Sequence, residues 1–144
     1  VIRLPLLALL LLTASPALAL KCLAPDPARD FRAAEADSAT WSGVYGWLEV
    51  LSHPEGAGPG QARLTGRSLT TEGFSQPFDR DIALQVSCLG PWCGQVESGP
   101  VAALLRHGRA GLVLQVEPCR ANLWPDPEPA QIQSLSACMA GACD

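Results

Sequence analysis

Six cysteines, two histidines and a clustered set of aromatic and arginine residues are the side chains of this 144-residue chain whose types and spacing bear on chemistry. Trp92-Cys93-Gly94 has the leading residues of a dithiol-exchange site. That chemistry needs a resolving thiol three residues on, and position 96 is Val96; the other near pair, Cys88-x4-Cys93, has the wrong interval. A serine hydrolase would need His53 or His107 as its base. Both stand in Gly- or Pro-containing stretches that read as loops, and no Gly-x-Ser-x-Gly elbow is present. Asp79 and Asp81 flank Arg80 and read as a solvated turn rather than an acid pair. No P-loop, dinucleotide fingerprint, EF-hand or HExxH motif occurs. No catalytic set is therefore expected, and no cofactor and no metal.

A second constellation suits binding. Trp41, Tyr45 and Trp47 recur at even spacing, which puts them on one face of an extended segment. Arg63 and Arg67 share a face of the next such segment. Side by side, the five would form an aromatic and guanidinium patch, with the loop His53–Gly60 beside it. Such patches stack bases or sugars and are enriched at protein interfaces. The competing reading is that the rings fill the core, the commoner fate of tryptophans in a small domain. A formal charge of −4 argues against nucleic acid. The expected partner is an envelope or extracellular protein, or a glycan.

The elements that must position these residues begin with an export signal over residues 1–19. Arg3 supplies the basic start, Leu4 to Leu12 the apolar run, and Ala17-Leu18-Ala19 the cleavage site. An uncleaved anchor is the alternative, but the run is shorter than the ~20 residues that span a bilayer. A lipid-bearing Cys22 would need a small residue before it, and Lys21 stands there. No membrane span is expected after cleavage. Nine arginines to one lysine, with abundant Ala, Gly, Leu and Pro, suggest a GC-rich bacterial genome, hence the periplasm or beyond. All six cysteines (Cys22, Cys88, Cys93, Cys119, Cys138, Cys143) follow the signal, and an even number in an exported chain reads as three disulfides. Zinc is the alternative for the C-x4-C pairs, although zinc motifs more often show a C-x2-C knuckle. Cys88–Cys93 would close the Gly90-Pro91 turn.

Along residues 20–144, Asp30–Asp37 reads as a short helix or turn. Trp41–Leu51 reads as a strand bent or bulged at Gly43 and Gly46. Gln61–Thr70 is a second strand, Thr71–Pro77 a connection, and Asp81–Cys88 a third strand of unbroken period two. A short strand is expected at Gln95 and Val96. Val101–Leu105 and Leu112–Glu117 flank the loop His107–Gly111 as a hairpin. Asp126 is the expected N-cap of a helix over about 127–140, with Ile132, Leu135 and Met139 on its apolar stripe. The expected fold is mainly β: a single domain over 20–144, a small five-stranded Greek-key barrel of OB type with a C-terminal helix, stapled by disulfides. A β-sandwich is the runner-up, though it usually has about seven strands.

The order of these features resembles the netrin-like domain, the OB-fold module shared with tissue inhibitors of metalloproteinases. The likeness is carried by Cys22 ahead of the first strand, by Ser42-Gly43-Val44-Tyr45-Gly46, by Cys93-Gly94 followed by Gly99 and an apolar strand, and by Cys119 after the hairpin. The resemblance implies a Cys22–Cys119 bridge. Cys138–Cys143 is then what remains, with Cys119–Cys138 as the open alternative. In the inhibitors the mature chain starts at a cysteine whose amine and carbonyl chelate the protease zinc. Here Leu20 and Lys21 precede Cys22, and Ala24 replaces the second cysteine of the Cys-x-Cys start. The resemblance thus implies the fold rather than the inhibitory mechanism. The expected function is a non-catalytic exported binding or interaction domain. A thiol-redox or hydrolytic enzyme of the envelope, or a protease-inhibitor-like module, are the alternatives.

Overall fold

A computed structural model describes residues 19–144, so the expected signal, apart from Ala19, lies outside the described residues. The chain runs α1 (Pro27–Ala36), β1 (Trp41–Ser52), β2 (Gly58–Thr70), β3 (Gly73–Val86), β4 (Cys88–Leu89), β5 (Trp92–Cys93), β6 (Gly99–Gly108), β7 (Gly111–Val116), β8 (Leu123–Pro125) and α2 (Pro129–Met139). The architecture is mainly β with a C-terminal helix and three disulfides.

Strand pairing follows from two-residue periodicity. β1 pairs antiparallel with β2 along one edge and with β6 along the other. β2 pairs with β3, β3 with β7 in parallel, and β7 with β6. The pairings therefore run β1–β2–β3–β7–β6 and return to β1, with β8 added outside β6. Val44, Leu48, Leu64, Ile82, Leu84, Leu105 and Leu114 face inward and form the principal core. Burial of each large aliphatic stabilises the fold by about 1.5–3 kcal/mol.

A second cluster lies on the outer face. There α1 and α2 cover Leu69, Ala102, Leu104 and the buried Trp124 with Phe31, Ala34 and Leu135. α1 begins one turn before the expected Asp30, because the Asp26 carboxylate accepts a bond from the Arg29 amide and Pro27 suits the first turn. α2 begins at Pro129 with Glu128 as N-cap, its amide donating to the Gln131 side chain. Asp126 is not the cap: its φ of 45° is left-handed, whereas a cap is extended. After α2 the chain reverses at Gly141, φ 90°, a geometry that suits residues without a Cβ.

The disulfides pair Cys22 with Cys119, Cys88 with Cys93, and Cys138 with Cys143. The Cys119–Cys138 alternative is not formed. Cys88–Cys93 clamps the β4–β5 hairpin over Gly90-Pro91. Cys22–Cys119 spans 97 residues, the longest loop and hence the largest restriction on the unfolded chain. Three bridges fit an oxidising environment. No helix among the described residues is long and apolar enough to cross a membrane.

Several boundaries differ from expectation. β3 starts at Gly73 rather than Asp81, so the supposed connection Thr71–Pro77 is mostly strand. Gln95 and Val96 lie outside any strand, and β8 was not anticipated. Of the bend or bulge expected at Gly43 and Gly46, no bulge forms: β1 keeps register with β6 from Trp41 to Leu48 and with β2 from Val44 to Val50, shifting only between Val50 and Ser52. Gly46 instead stands opposite Gly66, where a Cβ on either would run into backbone of the facing strand.

Two expected outcomes follow from this packing. Gly46→Ala forces β1 and β2 apart and destabilises the protein by at least about 2 kcal/mol, measured by urea unfolding. Asp30 is 4% exposed on α1; Oδ1 accepts from Arg29 Nε at 2.8 Å and Oδ2 has no partner among the described residues. Burial pushes its carboxyl above the ordinary value, outweighing the neighbouring guanidinium. The folded state thus favours the neutral acid, and this contribution is complete below about pH 4 and lost as pH rises through the raised value. Asp30→Asn removes that loss, so the melting temperature of the variant relative to that of the parent rises between pH 3 and pH 7, followed by thermal unfolding at each pH.

Candidate functional site

The structure divides the expected patch. Odd-numbered residues of β1 point outward, and the helices cover only the first part of that row. Trp41 packs against the helix-covered cluster, and its indole Nε1 donates to Asp37 Oδ2 at 2.9 Å. That bond, chiefly, holds the Asp37 carboxyl below its ordinary range. Trp41 is therefore structural and does not join the others. Gly43, next in the row, has no side chain, and a Cβ there would press on Leu69. Tyr45 and Trp47 emerge beyond the helices, 39% and 57% exposed. Tyr45 sits at the border, its ring edge-on to Phe74 at 5.9 Å between centroids. Aromatic pairs favour that geometry.

Register brings the arginines in unequally. Arg67 is directly opposite Tyr45, and its Nη1 donates to the Ser75 carbonyl at 2.8 Å. Thr65 is opposite Trp47. Arg63 lies opposite Glu49, past Trp47, and pairs with Asp79 at 2.9 Å and Asp81 at 3.0 Å on β3. These carboxylates, Asp79 foremost, raise the guanidinium pKa. Its charge is thus matched within the sheet. The structure brings together Tyr45, Trp47 and Arg67, sets Arg63 at the margin, and removes Trp41.

On its other side Trp47 faces β6, opposite Pro100, and lines a groove with Gln95, Glu97, Ser98, Arg120, Pro125 and Asp126. None of these groove residues was singled out from the sequence. Their only common signal is position just before β6 or around β8, which becomes meaningful once β6 is known to pair with β1. Trp92 is also exposed, but on the separate β4–β5 hairpin.

Another pair is hidden in the sequence, where the Gly108 and Gly111 around it make His107 read as a loop residue. It lies in β6, and its Nε2 is 2.7 Å from Ser42 Oγ across the β1–β6 ladder. The two line a cleft between β3 and the β6–β7 hairpin with Ser68, Gln76 and Arg80. A hydroxyl bonded to an imidazole is the first half of a nucleophile relay. Among the described residues no side chain hydrogen-bonds the other ring nitrogen to orient it. His53 is elsewhere, its Nδ1 2.7 Å from its neighbour's carbonyl at Pro54. Among the described residues no cluster of His, Cys, Asp and Glu has a metal-binding arrangement.

The division of the tryptophans has a measurable consequence. Trp41→Ala empties part of the helix–sheet contact and lowers stability by about 2–4 kcal/mol. Trp47→Ala, at an open surface, changes it by less than about 1 kcal/mol in the same denaturation assay. Comparison with known proteins returns no matching family model, no matching curated protein and no matching solved structure.

Proposed function

We propose that this chain is an exported, non-catalytic binding domain that engages a protein or glycan of the envelope or extracellular space through Tyr45, Trp47 and Arg67. One observation carries the reading: two aromatic side chains stand exposed and adjacent on the sheet face that the helices leave bare, with an arginine across from one of them. Exposed aromatics cost solvation unless covered, and Trp, Tyr and Arg are the residues that dominate binding hot spots. Export is supported by the three disulfides and by the Ala17-Leu18-Ala19 motif after an apolar run.

The scaffold of the proposal is a five-stranded Greek-key barrel of OB type with netrin-like additions, over residues 20–144 as one domain. Supporting it are the returning circuit β1–β2–β3–β7–β6 with its single parallel pair, and the Cys22–Cys119 tie between the leading segment and the end of the hairpin. Leu20 and Lys21 ahead of Cys22 argue against zinc chelation by a terminal cysteine. A second reading, an envelope hydrolase, is favoured by Ser42 Oγ lying 2.7 Å from His107 Nε2.

The test compares two surface lesions in the exported protein. Tyr45→Ala with Trp47→Ala reduces retention on an immobilised envelope fraction at least about tenfold, which is about 1.4 kcal/mol, while circular dichroism stays native. Trp92→Ala, an exposed ring elsewhere, leaves retention unchanged. Equal retention of all three proteins would overturn the binding face. Covalent labelling of Ser42 by a fluorophosphonate, lost in His107→Ala, would establish the hydrolase instead.

A further inference from the structure

The groove beside Trp47 differs in chemistry from an apolar protein-docking pocket. Its apolar lining includes the exposed indole of Trp47 with Pro100 opposite on β6. Its walls are polar: an amide at Gln95, carboxylates at Glu97 and Asp126, and a guanidinium at Arg120. All four are planar, two-pronged groups that can bond adjacent hydroxyls, and their charges are of both signs. A protein anchor would need a desolvated apolar centre around the ring. A phosphate or other strong anion would meet the two carboxylates. A neutral polyhydroxylated ring, apolar on one face and hydroxyl-bearing at its edge, matches both the apolar lining and the walls.

The backbone that carries the walls is held in place. Gln95 and Glu97 flank Val96, which is buried in the principal core. Gly94 approaches the Val116 carbonyl so closely that a Cβ would clash. Ser98 Oγ accepts from the Val50 amide at 2.9 Å, tying this irregular segment to β1 at its register shift. Arg120 follows Cys119, which is bridged to Cys22. Asp126 is the only non-glycine with positive φ among the described residues, held there by its amide bonding the Pro100 carbonyl at 2.9 Å. Backbone strain of that kind persists where the surroundings impose it and gathers at ligand clamps. With the backbone preordered, only side-chain rotamers remain to be fixed when a ligand arrives.

We propose that this groove binds a neutral oligosaccharide, one pyranose ring stacked on Trp47 and its hydroxyls bonded by Gln95, Glu97, Arg120 and Asp126. The proposal rests on the binding reading above and names the ligand class of the same face.

The experiment titrates the isotopically labelled exported protein with neutral hexasaccharides of β-1,4-linked glucose, β-1,4-linked N-acetylglucosamine and α-1,4-linked glucose, read by amide and indole resonances. The chain has four tryptophans, so the Trp47 indole signal is identified as the one lost in Trp47→Phe. The expected result is that one of the sugars moves that signal and the Gln95 and Asp126 amides, leaving the Trp41 and Trp124 indoles in place. Trp47→Ala abolishes binding, and Asp126→Ala or Arg120→Ala weakens it about tenfold or more with an otherwise native spectrum. If no sugar moves the Trp47 signal while Tyr45→Ala with Trp47→Ala still loses retention on the envelope fraction, the oligosaccharide assignment is overturned and the binding reading stands. If retention is also unaffected, both fall. Retention that depends on Trp47 and is abolished by protease treatment of the envelope fraction assigns the face to a protein partner and overturns the proposal.

Discussion

The close backbone approach of Gly46 to Gly66 is the constraint on which the rest of the structure depends. β1 is paired along both edges, with β2 and with β6, so it must curve for the pairings to return to their start. Curvature brings two strands together on one side of the bend, and there a side chain has no room. With glycine on both strands the ladder stays in register through the bend. Val44 and Leu48 remain inward and Tyr45 and Trp47 outward without a compensating bulge. A one-residue slip would exchange these sets and bury an indole and a phenol where two aliphatics now pack.

That alternation leaves an outer face that must itself be dealt with. Near the start of β1 the chain solves this with α1 and α2, which lie on Trp41, Leu69, Ala102 and Leu104 and are joined to one another through the Cys138–Cys143 tail, whose carbonyl accepts from Arg32 at 3.1 Å. Two short helices cannot cover the whole sheet. On β2 and β3 the remaining face is managed with charge, as Arg63 with Asp79 and Asp81, and such a ladder keeps a sheet surface soluble. On β1 and β6 it is Tyr45, Trp47 and Pro100, with Arg67 across from Tyr45 on β2. That contrast between two neighbouring stretches of one sheet is what the proposal of a binding face rests on.

Local patterning made much of this legible. The alternation Ile82, Leu84, Val86 is enough for a strand, and Asp81, Ala83 and Gln85 supply its solvent side. The first half of β3 is obscured because Phe74 packs on the helix-covered cluster and Phe78 on the principal core, so its apolar residues follow no single-face alternation, and because a proline such as Pro77 is uncommon within a paired strand. Parity also placed Trp41, Tyr45 and Trp47 on one face correctly. What parity could not supply was the reach of the helices, a long-range property, and so Trp41 was grouped with residues it never meets. The same limit explains Ser42 and His107, sixty-five positions apart and joined only by the β1–β6 ladder. Asp126 looked like a cap by residue type, and only its backbone geometry shows that the chain uses it to turn out of β8 instead.

The charge balance bears on how such a face would recognise anything. With a formal charge of −4 and Arg63 matched by its own carboxylates, the chain presents no broad positive field to draw an acidic partner from a distance. Under the proposed binding, recognition on this face would rest on short-range terms: stacking on an indole, edge contacts at Tyr45, and directional bonds from the polar groups beside it. Those terms discriminate by shape and hydroxyl geometry rather than by net charge, and they depend on rigidity. The Cys22–Cys119 bridge, the burial of Val96 and the bond from the Val50 amide to Ser98 all act on segments bordering the groove. The features that stabilise this small fold thus also fix the backbone segments that carry the exposed aromatic residue and its polar neighbours.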